Sequence, residues 1–356
     1  MSHSETASLP FVTSPVAPDT DVYPRVQGDP ARATSAREAL AKAGIVHDLQ
    51  ALEELLLTRT VSHSEYITRA GAHTVQAGGK RLRAALAILA ARLGTYRFEQ
   101  TAHAAAAVEL IHAASLVHDD LVDHTLRRRG QVTVHTLWDN DVALMVGDYF
   151  FALASAEMAL CPDPRIITYY AQAVQTIVEG ELHPVTDVSP FAVAMRQYLY
   201  KTGAKTAALF EAGCKAGMAT GGGSEAEIEA LGQYGYELGT AFQIVDDILD
   251  YTGNEQTLGK PAGNDLREGT ITLPLIYAIQ QADSPFLRDM IGASDAASDQ
   301  LQHALHLIEQ SGGIALARRD AEQSIAQAIA RLDRFAPSPA RTALIELAEF
   351  VLERQA

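Results

Sequence analysis

The spacing of apolar residues is the feature that most limits how this 356-residue chain can fold. From about residue 35 onward they recur every three or four positions, as in AREALAKAGIVHDLQALEELLL at 36–57. That period places them on one face of an α-helix, and no alternating run is long enough to build a sheet. The chain is therefore predicted to be all-α, a large helical bundle.

Short polar or proline-rich segments predict where helices end. GGGS at 221–224 ends one helix, and Ser224 with Glu227 forms the S-x-x-E capping box that opens the next. CPDP at 161–164 and APSP at 336–339 predict two further breaks.

The composition is that of a folded protein with an excess of acid. Hydrophobic residues make up 47% of the chain, and 28 Lys and Arg against 44 Asp and Glu give a net charge of −16. This balance argues against a nucleic-acid partner, so an anionic ligand must meet a local basic patch. Cys161 and Cys214 have no nearby cysteine or histidine-rich segment, which predicts buried reduced thiols and a cytoplasmic protein.

The N-terminal segment differs from the rest of the chain. The first 30 residues hold five prolines among Ser, Thr and Asp, without the basic and apolar regions of a signal peptide. We predict a disordered arm over residues 1–34 and a single helical domain over residues 35–356. No window reaches the roughly 18 uncharged apolar residues of a membrane-spanning helix, so no membrane span is expected.

Two groups of aspartates follow apolar helical runs, each in the pattern D-D-x-x-D. They are Asp119, Asp120 and Asp123, and Asp246, Asp247 and Asp250. On a helix the first and last aspartates of a group lie one turn apart, so their carboxylates can converge on a cation. Carboxylates without His or Cys suit Mg²⁺, which binds a few carboxylates together with substrate phosphates. For either group alone, the alternative is a helix end that is simply solvated. That alternative explains the presence of both groups less well.

Two basic clusters accompany the aspartates. They are Arg127, Arg128 and Arg129 after the first group, and Lys80, Arg81 and Arg83 after Gly78 and Gly79 in GGKRLR. Guanidinium groups bind phosphate oxygens through paired hydrogen bonds, and glycine lets a ligand approach the backbone. The clusters predict two anion sites beside a Mg²⁺ site. GGKRLR alone is more typical of a solvated helix start, because it lacks the Walker spacing.

In the order of its motifs the chain resembles the all-trans isoprenyl diphosphate synthases, or polyprenyl synthetases. The matching segments, over roughly residues 40–355, are GGKRLR, LIHAASLVHDDLVD, RRG, VGDYFFA, EGEL, KT at 205–206, GTAFQIVDDILD and GKPAGNDLREGTITLPL. The resemblance implies a helical bundle around a deep central apolar cavity, usually in a homodimer. It implies a Mg²⁺-dependent prenyltransferase that joins isopentenyl diphosphate to an allylic diphosphate primer through an allylic carbocation.

The resemblance also implies roles for individual residues. Asp119, Asp123 and Asp246 correspond to Mg²⁺ ligands, with Asp120, Asp247 and Asp250 as supporting catalytic acids. The counterparts of isopentenyl diphosphate contacts are Lys80, Arg83, His112 and Arg129, with Gly79 beside them. The counterparts of allylic diphosphate contacts are Arg128, Lys205, Thr206, Gln243 and Lys260. His112 alone is more typical of a core histidine, and its place seven residues before Asp119 is what favours a site role.

Small residues before Asp119 bear on the length of the product. One side of the predicted helix carries Ala107, Val108, Ile111, Ala114 and Ser115, which we expect to line the path of the growing chain. In family terms a bulky aromatic residue four or five positions before the aspartates stops growth early, and this chain has none. Because this face is open near its top, we predict a product of roughly seven to ten isoprene units, of the kind used as quinone (menaquinone-type) side chains. Close helix packing is the alternative reason for Ala and Ser here.

Two departures from the family and several alternative functions bear on this interpretation. Thr270 stands where many relatives have Lys, which removes a cation near the allylic diphosphate, and Ala84 stands where many have Pro, which we expect to affect only a helix bend.

A shorter-chain farnesyl or geranylgeranyl diphosphate synthase is one alternative function. A class I terpene cyclase would lack the second D-D-x-x-D, and a non-catalytic subunit of a heteromeric synthase would have lost catalytic acids. The sequence leaves open whether the protein contacts a membrane surface when it releases its product.

Overall fold

The computed structural model describes residues 33–253, 262–294 and 296–354. The first helices are α1 (Ala33–Lys42), α2 (Val46–Arg59), α3 (Glu65–Gln76), α4 (Leu82–Ala91), α5 (Phe98–Val122), α6 (Val134–Leu137), α7 (Asn140–Ala159), α8 (Arg165–Glu181) and α9 (Phe191–Thr202). A π-helical turn, Gly203–Ala207, leads into α10 (Ala208–Thr220) and α11 (Glu225–Thr252). The last helices are α12 (Asn264–Glu268), α13 (Leu273–Ala282), α14 (Pro285–Asp289), α15 (Ser298–Gln310), α16 (Gly313–Arg331) and α17 (Pro339–Glu353), with a 3₁₀ turn, Leu332–Arg334, before α17.

The all-α prediction is confirmed, with one small exception that the apolar pattern did not predict. Strands β1 (Arg127–Arg128) and β2 (Gln131–Val132) form an antiparallel hairpin. The turn between them places Arg129 at φ 52° and Gly130 at φ 78°. Both angles lie in the left-handed region that tight hairpin turns require. Strands of two residues are too short to leave an alternating pattern in the sequence.

The predicted helix boundaries are confirmed where the chain had clear signals. The capping box at the start of α11 is present, with the Ser224 N–H donating to Glu227 Oε2 at 2.8 Å. The breaks at 161–164 and 336–339 fall between α7 and α8 and before α17.

The centre of the molecule is built around α5. One apolar core extends from Leu40 to Val351, and a smaller one lies among helices α12 to α15. Residues 104–108 of α5 are fully buried, as expected for a helix that is apolar nearly all round. α7 runs antiparallel along α5, with His118 close to Gly147 near one end and His103 close to Glu157 near the other.

Helix α7 is long and apolar enough to cross a membrane by length and composition alone. Core helices of soluble proteins pass the same test, and α7 packs along α5. The expectation of no membrane span stays a prediction. Cys161 and Cys214 are free thiols; Cys214 is buried as predicted, whereas Cys161 is only partly buried, and desolvation raises the pKa of Cys161 to about 12.

Candidate active site

The first aspartate group lies at the C-terminal end of α5. The Asp123 N–H donates to the Asp119 carbonyl at 2.8 Å, so these two residues lie one turn apart, as predicted. Asp120 is buried on another side of the helix, where its Oδ1 accepts a hydrogen bond from Arg128 Nε at 2.6 Å. The hairpin arginine thus binds Asp120, and Asp119 and Asp123 remain on a common face.

A lysine and a third acid complete this cluster. Lys205 Nζ lies 3.0 Å from Glu181 Oε1. Burial raises the pKa of Asp119, and the negative charges of Glu181 and Asp123 add to the effect against Lys205 and Arg128. Burial alone would lower the pKa of Lys205, but the three carboxylates outweigh it and raise that pKa. Glu181 lies in the EGEL motif, yet nothing in its spacing indicated a site residue.

The π-helical turn Gly203–Ala207 carries Lys205 and its neighbour Thr206. π-helical turns are rare and frequent at functional sites. Glycines allow this one to lie against two helices, because a Cβ on Gly180 of α8 would overlap Ala204 and one on Gly239 of α11 would overlap Ala207.

In the second aspartate group, Asp247 is buried and hydrogen-bonded through both carboxylate oxygens. The Tyr198 hydroxyl donates to Oδ2 at 2.6 Å, and Gln243 Nε2 donates to Oδ1 at 2.9 Å. The Thr206 hydroxyl donates to Gln243 Oε1 at 2.7 Å. Burial raises the pKa of Asp247 to about 7, although the bonds from Tyr198 and Gln243 oppose that rise. Thr206 and Gln243, both predicted to contact the allylic diphosphate, are therefore linked by hydrogen bonds to Asp247, a predicted catalytic acid.

Asp246 lines a cavity next to an arginine from the end of the described chain. Its Oδ1 lies 2.7 Å from Nη1 of Arg354, whose guanidinium stacks 4.3 Å from the centre of the Phe242 ring. Burial raises the pKa of Asp246, against the nearby positive charges of Arg354, Arg83 and Lys80. The cavity, of about 270 Å³, is lined by Gln243, Asp246, Asp247, Leu249, Asp250, Asp265 and Arg354.

Asp265 and Arg354 are cavity residues that the sequence reasoning did not select. The Asp265 N–H donates to Oδ2 of Asp250 at 3.1 Å, so α12 packs against the last acid of the second group. Arg354 follows the C-terminal helix, where no local motif marks it. Lys260, a predicted allylic diphosphate contact, lies outside the described residues.

The two basic clusters come together although their nearest members, Arg83 and Arg127, are 44 positions apart in sequence. Arg129 Nη1 donates to the Gly78 carbonyl, and a Cβ on Gly79 would overlap the same guanidinium. Arg129 of RRG therefore lies over the backbone of GGKRLR. Its bare glycine is what allows this approach.

His112 and Arg83 lie within this concentration of positive charge. Burial lowers the pKa of His112 well below its usual value, and four arginines add to the effect: Arg83, Arg129, Arg128 and Arg81. The imidazole is therefore neutral near pH 7 and can donate one hydrogen bond. Burial, with Arg129, lowers the pKa of Arg83 to about 10, so its guanidinium stays charged.

Aromatic rings support two of the predicted cations. Arg83 lies 4.6 Å from the centre of the Phe210 ring, and Lys80 Nζ lies 5.0 Å from that of Phe350. Such contacts stabilise a cation that is partly removed from water. Neither aromatic residue was selected from the sequence.

Arg81 and Ala84 both contact the buried carboxylate of Glu109. Arg81 Nη1 lies 3.4 Å from Glu109 Oε2, and its Nη2 donates to the Val75 carbonyl at 2.7 Å. The Ala84 N–H donates to Glu109 Oε1 at 3.0 Å. A proline has no N–H, so Ala84 does more than the expected change in helix bend: it supplies a donor to a buried acid.

The predicted path of the growing chain follows the buried side of α5. Ala107, Val108, Ile111 and Ala114 are buried, and Ser115 is partly buried. Farther along the same side, the fully buried Tyr170 of α8 reaches across to α5, where its hydroxyl donates to the Ala104 carbonyl at 2.7 Å. Ala104 lies 15 residues before Asp119, about 22 Å along the helix at 1.5 Å per residue. That these residues line a product path stays a prediction.

The acidic residues suit a metal that is also bound by its substrate. Within the described part of the chain, no three His, Cys, Asp or Glu side chains converge closely enough to hold a metal ion by themselves. Mg²⁺ usually keeps waters and binds one or two carboxylates together with phosphate oxygens. Asp119 with Asp123, and Asp246 at its cavity, fit that mode of binding.

Comparisons with known proteins agree with this arrangement. The sequence profile of the family described as polyprenyl synthetase matches residues 64–308. The chain is 37% identical over 309 residues to heptaprenyl diphosphate synthase component 2 of Geobacillus stearothermophilus, covering 86% of this chain and 96% of that protein. It is 33% identical to octaprenyl diphosphate synthase of Escherichia coli, with the same coverage.

Solved structures give the same result. A decaprenyl diphosphate synthase from Rhodobacter capsulatus superposes with a TM-score of 0.83 at 37% identity, covering 90% of this chain and 99% of that one. A polyprenyl synthase from Caulobacter crescentus, solved with calcium and isoprenyl diphosphate, superposes with a TM-score of 0.82 at 37% identity, covering 94% and 100%. The chain belongs to the polyprenyl synthetase family.

Proposed function

We propose that this chain is a Mg²⁺-dependent, long-chain all-trans-polyprenyl diphosphate synthase of the cytoplasm, making a quinone-type side chain. Its substrates are isopentenyl diphosphate and an allylic diphosphate primer. The observation that carries the proposal is the arrangement of the site. Two aspartate groups flank the π-helical turn, and a separate cluster of cations lies over GGKRLR.

The allylic diphosphate is assigned to the aspartate side. Asp119, Asp123 and Asp246 would hold Mg²⁺, which supplies positive charge to the diphosphate as it departs. Lys205 adds a fixed cation beside Asp119, and Arg128 holds Asp120 in place. Preorganised charges of this kind stabilise a developing negative charge without reorganising during the reaction.

Isopentenyl diphosphate is assigned to the cation cluster of Lys80, Arg83, His112 and Arg129. Three positive charges and one neutral imidazole offer donors to a single diphosphate. Positioning its double bond beside the allylic group contributes a large share of the rate. The apolar side of α5 excludes water from the allylic carbocation, and no side chain needs to act as a nucleophile.

Substitutions in the cation cluster should separate the two substrates. Lys80→Ala and Arg83→Ala are expected to raise KM for isopentenyl diphosphate about tenfold or more, with a much smaller effect on the primer, because each removes a charge-assisted contact to one diphosphate. Steady-state kinetics with each substrate varied in turn measures this. Arg127→Ala is the matched control, since that arginine is exposed and donates to the neighbouring Gly130 carbonyl. An equal rise in both KM values would contradict the division of the two sites.

We also propose that a second copy of the chain covers α7. Only 33% of an 18-residue apolar stretch of α7 is buried, and Leu144 and Met145 are 43% and 52% exposed. Exposed apolar surface of this kind usually marks an interface. Light scattering should give twice the mass of one chain, and Met145→Glu should shift it toward the mass of a monomer. A monomeric wild-type protein would contradict this proposal.

One incubation separates the candidate functions. The chain is mixed with Mg²⁺, isopentenyl diphosphate and farnesyl diphosphate, and both diphosphate release and prenyl chain length are followed. A synthase releases diphosphate only while it lengthens the primer. A terpene cyclase would release diphosphate from the primer alone, and a non-catalytic subunit would release none.

A further inference from the structure

Tyr198 contacts the second aspartate group from α9, outside every motif that the family resemblance used. It is buried, with 4% of its surface exposed, and its hydroxyl donates to Asp247 Oδ2 at 2.6 Å. The other carboxylate oxygen is already bonded to Gln243. Both oxygens of Asp247 therefore have a protein donor, although this side chain lines the same cavity as Asp246.

This arrangement selects one orientation of the Gln243 amide. In the structure Gln243 turns the NH₂ end of its amide to Asp247 and its carbonyl end to the Thr206 hydroxyl, the orientation that an ionised carboxylate, which only accepts hydrogen bonds, favours. The second N–H of that amide remains available on a residue that lines the cavity. The opposite orientation would bring two acceptors together at Asp247.

We propose that Tyr198 is a positioning residue for the allylic diphosphate, acting through Asp247 on Gln243 and Thr206. The inference deepens the proposed function and rests on it. The same network holds the π-helical turn through Thr206. The residue before it, Lys205, pairs with Glu181 beside the first aspartate group. Tyr198 thereby helps to hold the two halves of the diphosphate site at one spacing.

The alternative is that the Tyr198 hydroxyl only stabilises the core, and the chain offers a matched control for it. Tyr234 is also fully buried, and its hydroxyl donates to the Leu344 carbonyl at 2.8 Å. Tyr234→Phe therefore removes a buried tyrosine hydrogen bond that touches no residue of the site. Tyr198→Phe removes the same group from Asp247.

The kinetic effects of the two substitutions should differ. We expect Tyr198→Phe to lower kcat/KM for the allylic primer about tenfold, because a buried charged acceptor loses its donor. KM for isopentenyl diphosphate and the Mg²⁺ concentration for half-maximal rate should stay unchanged. Tyr234→Phe should lower the melting temperature without this selective loss. Equal losses for both substrates, or the same kinetics in both variants, would overturn the proposal.

A double-mutant cycle tests whether Tyr198 acts through Gln243. In a Gln243→Met background, Tyr198→Phe should cause little further loss of kcat/KM for the primer. If the two residues acted independently, the free-energy effects of the two substitutions would add. Asp247→Asn is the second variant if Tyr198→Phe does not fold, since its amide no longer selects the orientation of Gln243. The same primer-selective loss is expected, and a loss shared by both substrates would overturn the inference.

Calorimetry separates this inference from the proposed function. A wild-type chain that fails to lengthen a primer would contradict the proposed function. Binding of pyrophosphate with Mg²⁺ can still be compared between wild type, Tyr198→Phe and Tyr234→Phe. Weaker binding in Tyr198→Phe alone supports the positioning role, and equal binding in all three proteins contradicts it.

Discussion

Replacing Asp119 or Asp246 with Asn is expected to lower turnover by about a thousandfold or more, because each change removes a charge from the proposed Mg²⁺ ligands in a site with no nucleophile to replace it. The fold should survive. Burial raises the pKa of both carboxyls, so their ionised forms cost the folded state free energy above the ordinary carboxyl pKa. A neutral amide of the same shape avoids that cost.

Single-turnover rates and melting temperatures measure the two parts of this prediction. Asp141→Asn serves as the control, since that aspartate is exposed in the first turn of α7. Near-normal Mg²⁺-dependent turnover in either site variant would remove the residue from the proposed metal ligands. Loss of folding would show that its charge is structural.

The second large effect concerns product length. Ala114→Phe places a ring on the side of α5 that carries the predicted path, near its top. The product should shorten to a few isoprene units while the first condensation continues, because the site above the ring is unchanged. Overpacking of the core should cost about 1–3 kcal/mol of stability. Mass spectrometry of the prenyl products measures the change.

The neighbouring Ala113 gives the control for this substitution. It is partly buried on a different side of α5, so Ala113→Phe adds the same ring outside the predicted path. Unchanged product length in Ala114→Phe, or equal shortening in both variants, would refute the path.

Tyr170 provides the opposite test at the other end of the path. Its ring lies between α8 and α5 at Ala104, about 22 Å from Asp119 at 1.5 Å per residue. Tyr170→Ala should lengthen the products, and Tyr170→Phe, which keeps the ring, should not. The floor that the sequence did not identify would then be this tyrosine. Equal lengths in Tyr170→Ala and wild type would exclude it.

Whether a site residue could be predicted depended on how far apart in sequence it lies from the residues that it contacts. Asp119 and Asp123 share a face because they are one helical turn apart, and that relation can be read from spacing alone. Glu181, Tyr198 and Arg354 meet their partners across helices, so no local pattern marks them. The approach of RRG to GGKRLR was indicated by resemblance and not by spacing.

The fold shows the same division. Long amphipathic helices and the capping box at Ser224 were predictable from local sequence. The π-helical turn was not, because its extra residue is accommodated by packing of Ala204 and Ala207 against glycines on α8 and α11. The hairpin of β1 and β2 is held by contacts of Arg128 with Asp120 at the end of α5 and of Arg129 with the distant Gly78.

The mass of the wild-type product tests the central claim most directly. The full chain is incubated with Mg²⁺, farnesyl diphosphate and excess isopentenyl diphosphate, and the products are dephosphorylated and analysed by mass spectrometry. If no residue near the top of α5 blocks the growing chain, the products contain roughly seven to ten isoprene units. Products no longer than farnesyl or geranylgeranyl diphosphate, or no lengthening at all, would contradict the account.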